Sequence, residues 1–224
     1  MAAQGFESWQ SGDYAKQWAS DDVIADMLEL PREISVALVA DFDTAVRHVV
    51  DLGSGPGRYL EVFLSAFPGA RGTWVDSSDA MRELAEQELA DLGERVDYVI
   101  GDVERVAGLG LESAEVVVSS RVLHHFSPAS LERVYRDVHE LLVPGGLFFN
   151  LDHVGMSGDW ESRYRRVRDR FTGTRRRKLA PHRHDHPLAP LDAHLGWARD
   201  AGFETPHAAW RMFHSALVVA RRPA

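Results

Sequence analysis

Val49-Val50-Asp51-Leu52-Gly53-Ser54-Gly55-Pro56-Gly57 sets three alternating glycines directly behind an apolar strand, the first of them two residues after an acid. Glycine permits the positive φ of a tight turn and has no Cβ to hold a ligand off, so backbone N–H groups ahead of the next helix can touch it. The strand reads as 47–52 and the helix as 58–67, with Tyr59, Leu60, Phe63, Leu64 and Phe67 on one face before Pro68-Gly69 stops it. A strand, glycine loop and helix in this order suit a nucleotide-like ligand. The spacing is Gly-x-Gly-x-Gly, whereas dinucleotide binding through a pyrophosphate asks for Gly-x-Gly-x-x-Gly. It therefore points to another ligand, with an ordinary tight β–α turn as the alternative.

The 224 residues, 45% of them hydrophobic, suffice for one sizeable core, so a single domain over 1–224 is expected. The chain has no cysteine, which removes disulfides, thiolate metal sites and cysteine nucleophiles. With no leader-like segment and no 18-residue apolar run, the expectation is a cytoplasmic protein without a membrane partner. A net charge of −9 argues against a nucleic-acid partner. The charge is uneven, because residues 161–184 hold ten Arg and Lys against Glu161 and Asp169. A basic segment thus sits on an acidic body.

The first 46 residues show no strand-like run and read as a helical cap, with pieces between Tyr14 and Ala45 broken near Ser20-Asp21-Asp22 and at Pro31. From Arg47 onward, apolar runs alternate with helical patterns. Strands are expected at 72–76, 96–100, 114–119 and 147–152, and helices at about 78–92 and 127–142, the latter capped by Ser127 and ended by Pro144-Gly145-Gly146. Residues 47–158 form the expected cofactor core and 159–201 an arginine- and histidine-bearing lid with a helix at about 191–201. Residues 202–224 close the chain as a hairpin, 203–213 and 215–220. Alternating strands and helices imply an α/β fold with a mostly parallel sheet and right-handed crossovers.

In such a sheet the ligand lies beyond the carboxyl ends of the strands, where strand order reverses. The second strand ends in Asp76, whose carboxylate can accept from both hydroxyls of a ribose, and the third in Gly101-Asp102-Val103, which offers a carboxylate and a backbone N–H to an adenine edge. Either acid could instead cap a helix or turn. The fourth strand runs into Leu123-His124-His125-Phe126, and Ala201-Gly202-Phe203 leads into the closing hairpin.

This ordered set resembles the class I S-adenosylmethionine-dependent methyltransferases, in their small-molecule branch, from about Arg47 to the end. The resemblance implies a Rossmann-like seven-stranded sheet with an antiparallel last strand and helices on both faces. It implies S-adenosylmethionine as cofactor and methyl transfer to a small-molecule acceptor. On that resemblance Gly53, Ser54, Gly55 and Gly57 lie along the methionine and ribose, and Asp51 orders the loop or meets the amino group through water. Asp76 holds the ribose with Ser77 and Met81 nearby, Asp102 binds the adenine amino group beside Val103, and Ser120 and Arg121 reach the methionine end.

Methyl transfer from a sulfonium is an in-line displacement, so alignment and exclusion of water dominate, and a base helps where the acceptor must lose a proton. Histidines at the strand ends and on the lid suit that role: His125, His153 and His186 as catalytic candidates, His124 and His184 as acceptor contacts. Packing or hydrogen bonding within the fold is the other reading of His124 and His125. The run His182-Arg183-His184-Asp185-His186 has the residue types of a metal cluster, but one loop without a second cluster does not make a site, and no metal is expected. A lid over the acceptor is the reading kept for it. Arg166 and Arg170 on the helix at 160–171 are either a solvated face or anion-binding forks for an anionic acceptor. Tyr14 and Trp18 either pack in the cap or give the sulfonium a cation–π contact. The expected assembly is a monomer or homodimer. Rival readings are a tRNA-modifying methyltransferase, a nicotinamide oxidoreductase and a non-catalytic S-adenosylmethionine-binding protein.

Overall fold

The structure is a computed structural model that describes residues 22–42, 45–156, 158–172 and 186–224. Helix α1, Asp22–Asp41, runs without interruption through Pro31, where the sequence predicts a break. Proline forfeits one backbone bond, but the helix is held from the side: Leu28, Ser35 and Val39 are buried against the next helix and the sheet. The Ser35 hydroxyl also donates to the Pro31 carbonyl at 2.9 Å.

Strand β1, His48–Leu52, is buried along its whole length and leads into α2, Arg58–Ala66. Then follow β2, Arg71–Asp76; α3, Asp79–Glu88; β3, Val96–Ile100; β4, Ala114–Ser120; α4, Pro128–Leu141; and β5, Leu142–His153. Helix α5 spans Asp159–Thr172 and α6 Leu191–Asp200, before β6, Glu204–Met212, and β7, Ser215–Arg221. The helix predicted over 78–92 divides into α3 and a 3-10 turn, Ala90–Arg95, with Gly93 off helical geometry between its halves. The Ser127 side chain caps α4 as expected. That helix ends at Leu141 and passes directly into β5, so Pro144-Gly145-Gly146 lies inside the strand. Its last carbonyls are met from the chain end instead, the Arg222 guanidinium donating to the oxygens of His139, Glu140 and Leu142.

The seven strands form one sheet in the order β3-β2-β1-β4-β5-β7-β6. β1 to β5 are parallel, and β7 runs antiparallel between β5 and β6. Alternate residues of each strand serve two cores. Val49, Trp74, Val116, Val118 and Phe149 pack beneath α1 and α2, while Val50, Val117 and Phe148 pack with Leu131, Val134 and Val138 of α4. Each such fully buried side chain contributes about 1.5–3 kcal/mol, and together they fix the strand ends. Strand order reverses between β1 and β4, which opens a crevice at their carboxyl ends. Among the described residues no helix is long and apolar enough to cross a membrane.

Candidate active site

Gly53, Gly55 and Gly57 all adopt positive φ, at 70°, 54° and 87°. A Cβ on Gly53 would lie 2.1 Å from Val122 Cγ2, and one on Gly57 2.6 Å from Leu89 Cδ1. The loop amides are spent within the protein. Gly53 N–H and Ser54 N–H donate to the Val75 carbonyl, Gly57 N–H to the Ser54 carbonyl, and Gly55 N–H to Asp76 Oδ2 at 2.9 Å. This corrects the expectation that these N–H groups touch the ligand: the amides are spent within the protein, and the missing Cβ atoms of Gly53 and Gly57 make room for Val122 and Leu89. The Trp74 indole N–H fixes the Gly55 carbonyl at 2.8 Å.

Asp51 lies fully buried beneath the first turn of α2, its Oδ2 accepting from Ser54 Oγ at 2.7 Å. Burial pushes its carboxyl up to about 7, against the pull of Ser54, Arg32 and the Leu60 N–H. The helix N-terminus that would hold a pyrophosphate therefore faces a carboxylate of the protein itself. Such a loop suits a ligand with no phosphate beside the glycines.

Asp76 ends β2 with both oxygens held, Oδ2 by Gly55 N–H and Oδ1 by Ser78 N–H at 3.0 Å. Burial raises its pKa against the Gly55, Ser78 and Ser77 amides. Each oxygen keeps a lone pair for a further donor. Ser77 is exposed beside it and Met81 is buried in the core. Asp102 stands apart, half exposed and capping the 3-10 turn Val103–Gly108 through Glu104 N–H at 2.9 Å, while Val103 is buried.

The ends of β4 and β5 carry the polar cluster. Arg121 adopts φ 63°, uncommon for a side chain, and its N–H donates to the Leu151 carbonyl. The Ser120 hydroxyl is buried with no partner among the described residues. A 3-10 turn, Leu123–His125, brings His124 over β5. There Asp152, fully buried, accepts from His124 N–H at 2.8 Å, from the His124 ring Nδ1 at 2.5 Å and from His153 N–H at 2.7 Å. Burial alone would raise Asp152, but the charge and ring bond of His124 and the two backbone donors bring it down to about 2. The His125 ring lies 4.1 Å from that of His124, and the His153 ring meets it edge-on at 4.9 Å. The Arg121 Nη1 sits 2.8 Å from His153 Nδ1.

The structure thus gathers Asp51, the glycine loop, Asp76, Ser120, Arg121, His124, His125 and His153 at one end of the sheet. It does not bring in His186, which is exposed where residues 186–190 run beside Gly155, nor Arg166 and Arg170, which are exposed on α5. Tyr14, Trp18 and His184 lie outside the described residues. Asp152, which with His153 is a candidate base from the sequence as an acid at a strand end, proves to be the group that holds His124. Arg32 escapes the sequence reading, as a charge within the buried stripe Leu28, Ser35 and Val39.

Residues 49–146 match the family described as a methyltransferase domain. Over those residues, under half of the chain, the protein is similar to the methyltransferases. The methyltransferase core is 34% identical over 125 residues to the aclacinomycin 10-hydroxylase RdmB of Streptomyces purpurascens, which covers 54% of this chain and 32% of RdmB. It is 33% identical over 119 residues to the O-demethylpuromycin-O-methyltransferase of Streptomyces alboniger, 51% of this chain and 31% of that enzyme. The matched stretch therefore spans about a third of these relatives. Human N-acetylserotonin methyltransferase, solved in complex with SAM, shares the fold with a TM-score of 0.70 at 17% identity, over 100% of this chain and 60% of that one.

Proposed function

We propose that this methyltransferase core moves the methyl group of S-adenosylmethionine onto a hydroxyl oxygen of a small-molecule acceptor. The observation that carries the reading is the His124–Asp152 pair at the ends of β4 and β5. An oxygen acceptor must lose its proton, and a carboxylate that holds the Nδ1 proton of an imidazole leaves Nε2 as the basic nitrogen. Asp152 also holds the His124 and His153 backbones through their N–H groups, so the base is positioned before any acceptor enters.

The cofactor fits the residues present. Bound S-adenosylmethionine supplies a methyl group made electrophilic by its sulfonium. The positive-φ Gly53–Gly57 loop turns the backbone tightly at the crevice, and Asp76 has lone pairs left for ribose hydroxyls. Asp102 and Val103 would flank the adenine. Ser120 and Arg121 line the methyl-transfer end, with His125 and His153 shaping the acceptor wall.

The test is incubation with S-adenosylmethionine and a panel of hydroxylated aromatics, with and without carboxylates, scored by release of S-adenosylhomocysteine and by product mass. A methylated product supports the reading. Product mass also separates methyl transfer from hydroxylation, the reaction for which RdmB is named. Calorimetric titration showing that neither S-adenosylmethionine nor S-adenosylhomocysteine binds would overturn it.

A further inference from the structure

Asn150 and Asp152 alternate along β5 and so share one face of the sheet, about 6.6 Å apart along the strand. Both side chains are buried, at 1% exposure. Asn150 Nδ2 donates to the Tyr135 hydroxyl on α4 at 3.4 Å, and that hydroxyl lies 3.0 Å from Nδ1 of His194 on α6. Tyr135 and His194 are fully buried. Since the tyrosine oxygen accepts from Asn150, its own proton goes to His194 Nδ1, which leaves Nε2 of that ring protonated. A polar chain thus crosses from β5 through α4 to α6.

A second tie joins α6 to the end of β5. Just beyond Asp152, Gly155 N–H donates to the Ala189 carbonyl at 2.8 Å, and Gly155 bridges Pro190, the residue before α6 begins. The Trp197 ring of the same helix packs near both Tyr135 and His194, at 6.4 and 5.3 Å between centroids. Asp152 therefore sits on a stretch of β5 held at two points, by buried side chains on one side of it and by main chain on the other.

Stability alone does not account for the polar chain. Tyr135 lies in a core with Leu131, Val134, Val138 and Phe148, where apolar side chains would pack without an unmet group. As it is, Asn150 Oδ1 and His194 Nε2 are buried with no partner among the described residues. Burial drives His194 down to about 4, against the charge of Asp152, so its ring stays neutral and does not compete with His124 for that carboxylate.

We propose that Asn150, Tyr135 and His194 are positioning residues: hydrogen-bonded across β5, α4 and α6, they fix the end of β5 and with it the Asp152 carboxylate against His124. The proposal rests on the reading of His124 and Asp152 as the base of methyl transfer. Helix α6 then acts on the reaction through β5.

The experiment is proton NMR of the ligand-free protein, which needs no acceptor. The 2.5 Å bond from His124 Nδ1 to Asp152 holds its proton downfield of the backbone amides and shields it from exchange. Wild type should show this resonance, and Asp152→Asn should lose it. Tyr135→Phe removes one hydroxyl from the chain, and the triple variant Asn150→Val/Tyr135→Phe/His194→Leu replaces the whole chain by apolar groups. In both, the proton is expected to exchange with solvent at least about tenfold faster. The triple variant should melt no lower than wild type, because no polar partner is left unmatched. Equal exchange in wild type and the triple variant overturns the proposal and leaves the base standing. Faster exchange only in variants that melt lower, or a triple variant that does not fold, also overturns it by assigning the chain to stability. A wild type without the resonance, or an Asp152→Asn variant that keeps it, overturns the reading of the base itself.

Discussion

The ring Nδ1 of His124 lies 2.5 Å from Asp152 Oδ1, and both side chains are sealed from solvent at the join of β4 and β5. A buried carboxylate that accepts from two backbone amides and one imidazole fixes both the tautomer and the orientation of that ring. Asp152→Asn keeps the shape but offers an amide where the imidazole proton needs an acceptor. Methyl transfer to an acceptor found by the product screen should fall about 100-fold or more in kcat, with S-adenosylhomocysteine affinity unchanged. The same substitution should change acid stability. Asp152 is depressed from 3.8 to about 2, so it contributes stability above pH 4 that is lost as pH falls toward 2. That contribution is about 2 kcal/mol, and urea midpoints measured from pH 5 to pH 2 should show the extra acid sensitivity in wild type and not in Asp152→Asn.

The frame of the fold was legible because its signals are local: the valines of β4, the Ser127 cap and the glycine turn each state their structure within a few residues. Pro31 misled because a local rule met a tertiary one, and burial of Leu28 and Val39 outweighs one lost helix bond. The glycine loop was placed correctly, but its donors were misjudged. Gly53 and Ser54 bond to Val75, and Gly55 to Asp76, across a register that no short window displays. The pairing of His124 with Asp152 spans 28 residues, and only packing brings the two together.

Gly53 is expected to tolerate no side chain, for two separable reasons. Its φ of 70° is strained for alanine, and a Cβ would meet Val122 Cγ2, Cγ1 and Cβ at 2.1, 2.8 and 2.9 Å. Gly53→Ala should cost at least about 2 kcal/mol of stability and weaken S-adenosylhomocysteine. Val122→Ala removes the two nearest of those atoms, so the double variant should recover about 1 kcal/mol relative to additivity. Chemical denaturation of the four proteins measures it. Simple addition of the two costs would assign the whole effect to backbone strain.

Glu115 sits where β4 begins, at the opposite end of the strand from His124, and ties the start of β1. Its Oε2 accepts from Arg47 N–H and His48 N–H at 3.1 and 2.8 Å, and Oε1 accepts from the Arg47 guanidinium at 3.0 Å. Burial favours the neutral acid, but these donors from His48 and Arg47 outweigh it and hold the pKa below its ordinary value. Glu115→Ala leaves two amides without their acceptor and should cost about 2 kcal/mol, or about 4–8 °C in melting temperature for a chain of this size. S-adenosylhomocysteine affinity should be unchanged, because the carboxyl ends of the strands do not move. Because the carboxyl is depressed, this stability is present above pH 4.5 and lost as pH falls below it.

Cofactor affinity should depend on pH through Asp51. In the free protein its carboxyl titrates at about 7, and an ammonium placed against it requires the charged form. Below pH 7 binding must first release a proton from Asp51, so the dissociation constant of S-adenosylhomocysteine should rise about tenfold for each unit from pH 6 downward. Above pH 8 it should be flat. For stability of the free protein the sign is reversed. A raised carboxyl binds its proton more tightly when folded, so this group makes the ligand-free protein less stable as pH rises from 4 to 7. The two slopes oppose each other, and saturating ligand should therefore raise the melting temperature more at pH 8 than at pH 6. Asp51→Asn, which cannot titrate, should bind weakly at every pH and abolish the difference. An affinity independent of pH from 5 to 8 in wild type would show that Asp51 does not face the ammonium.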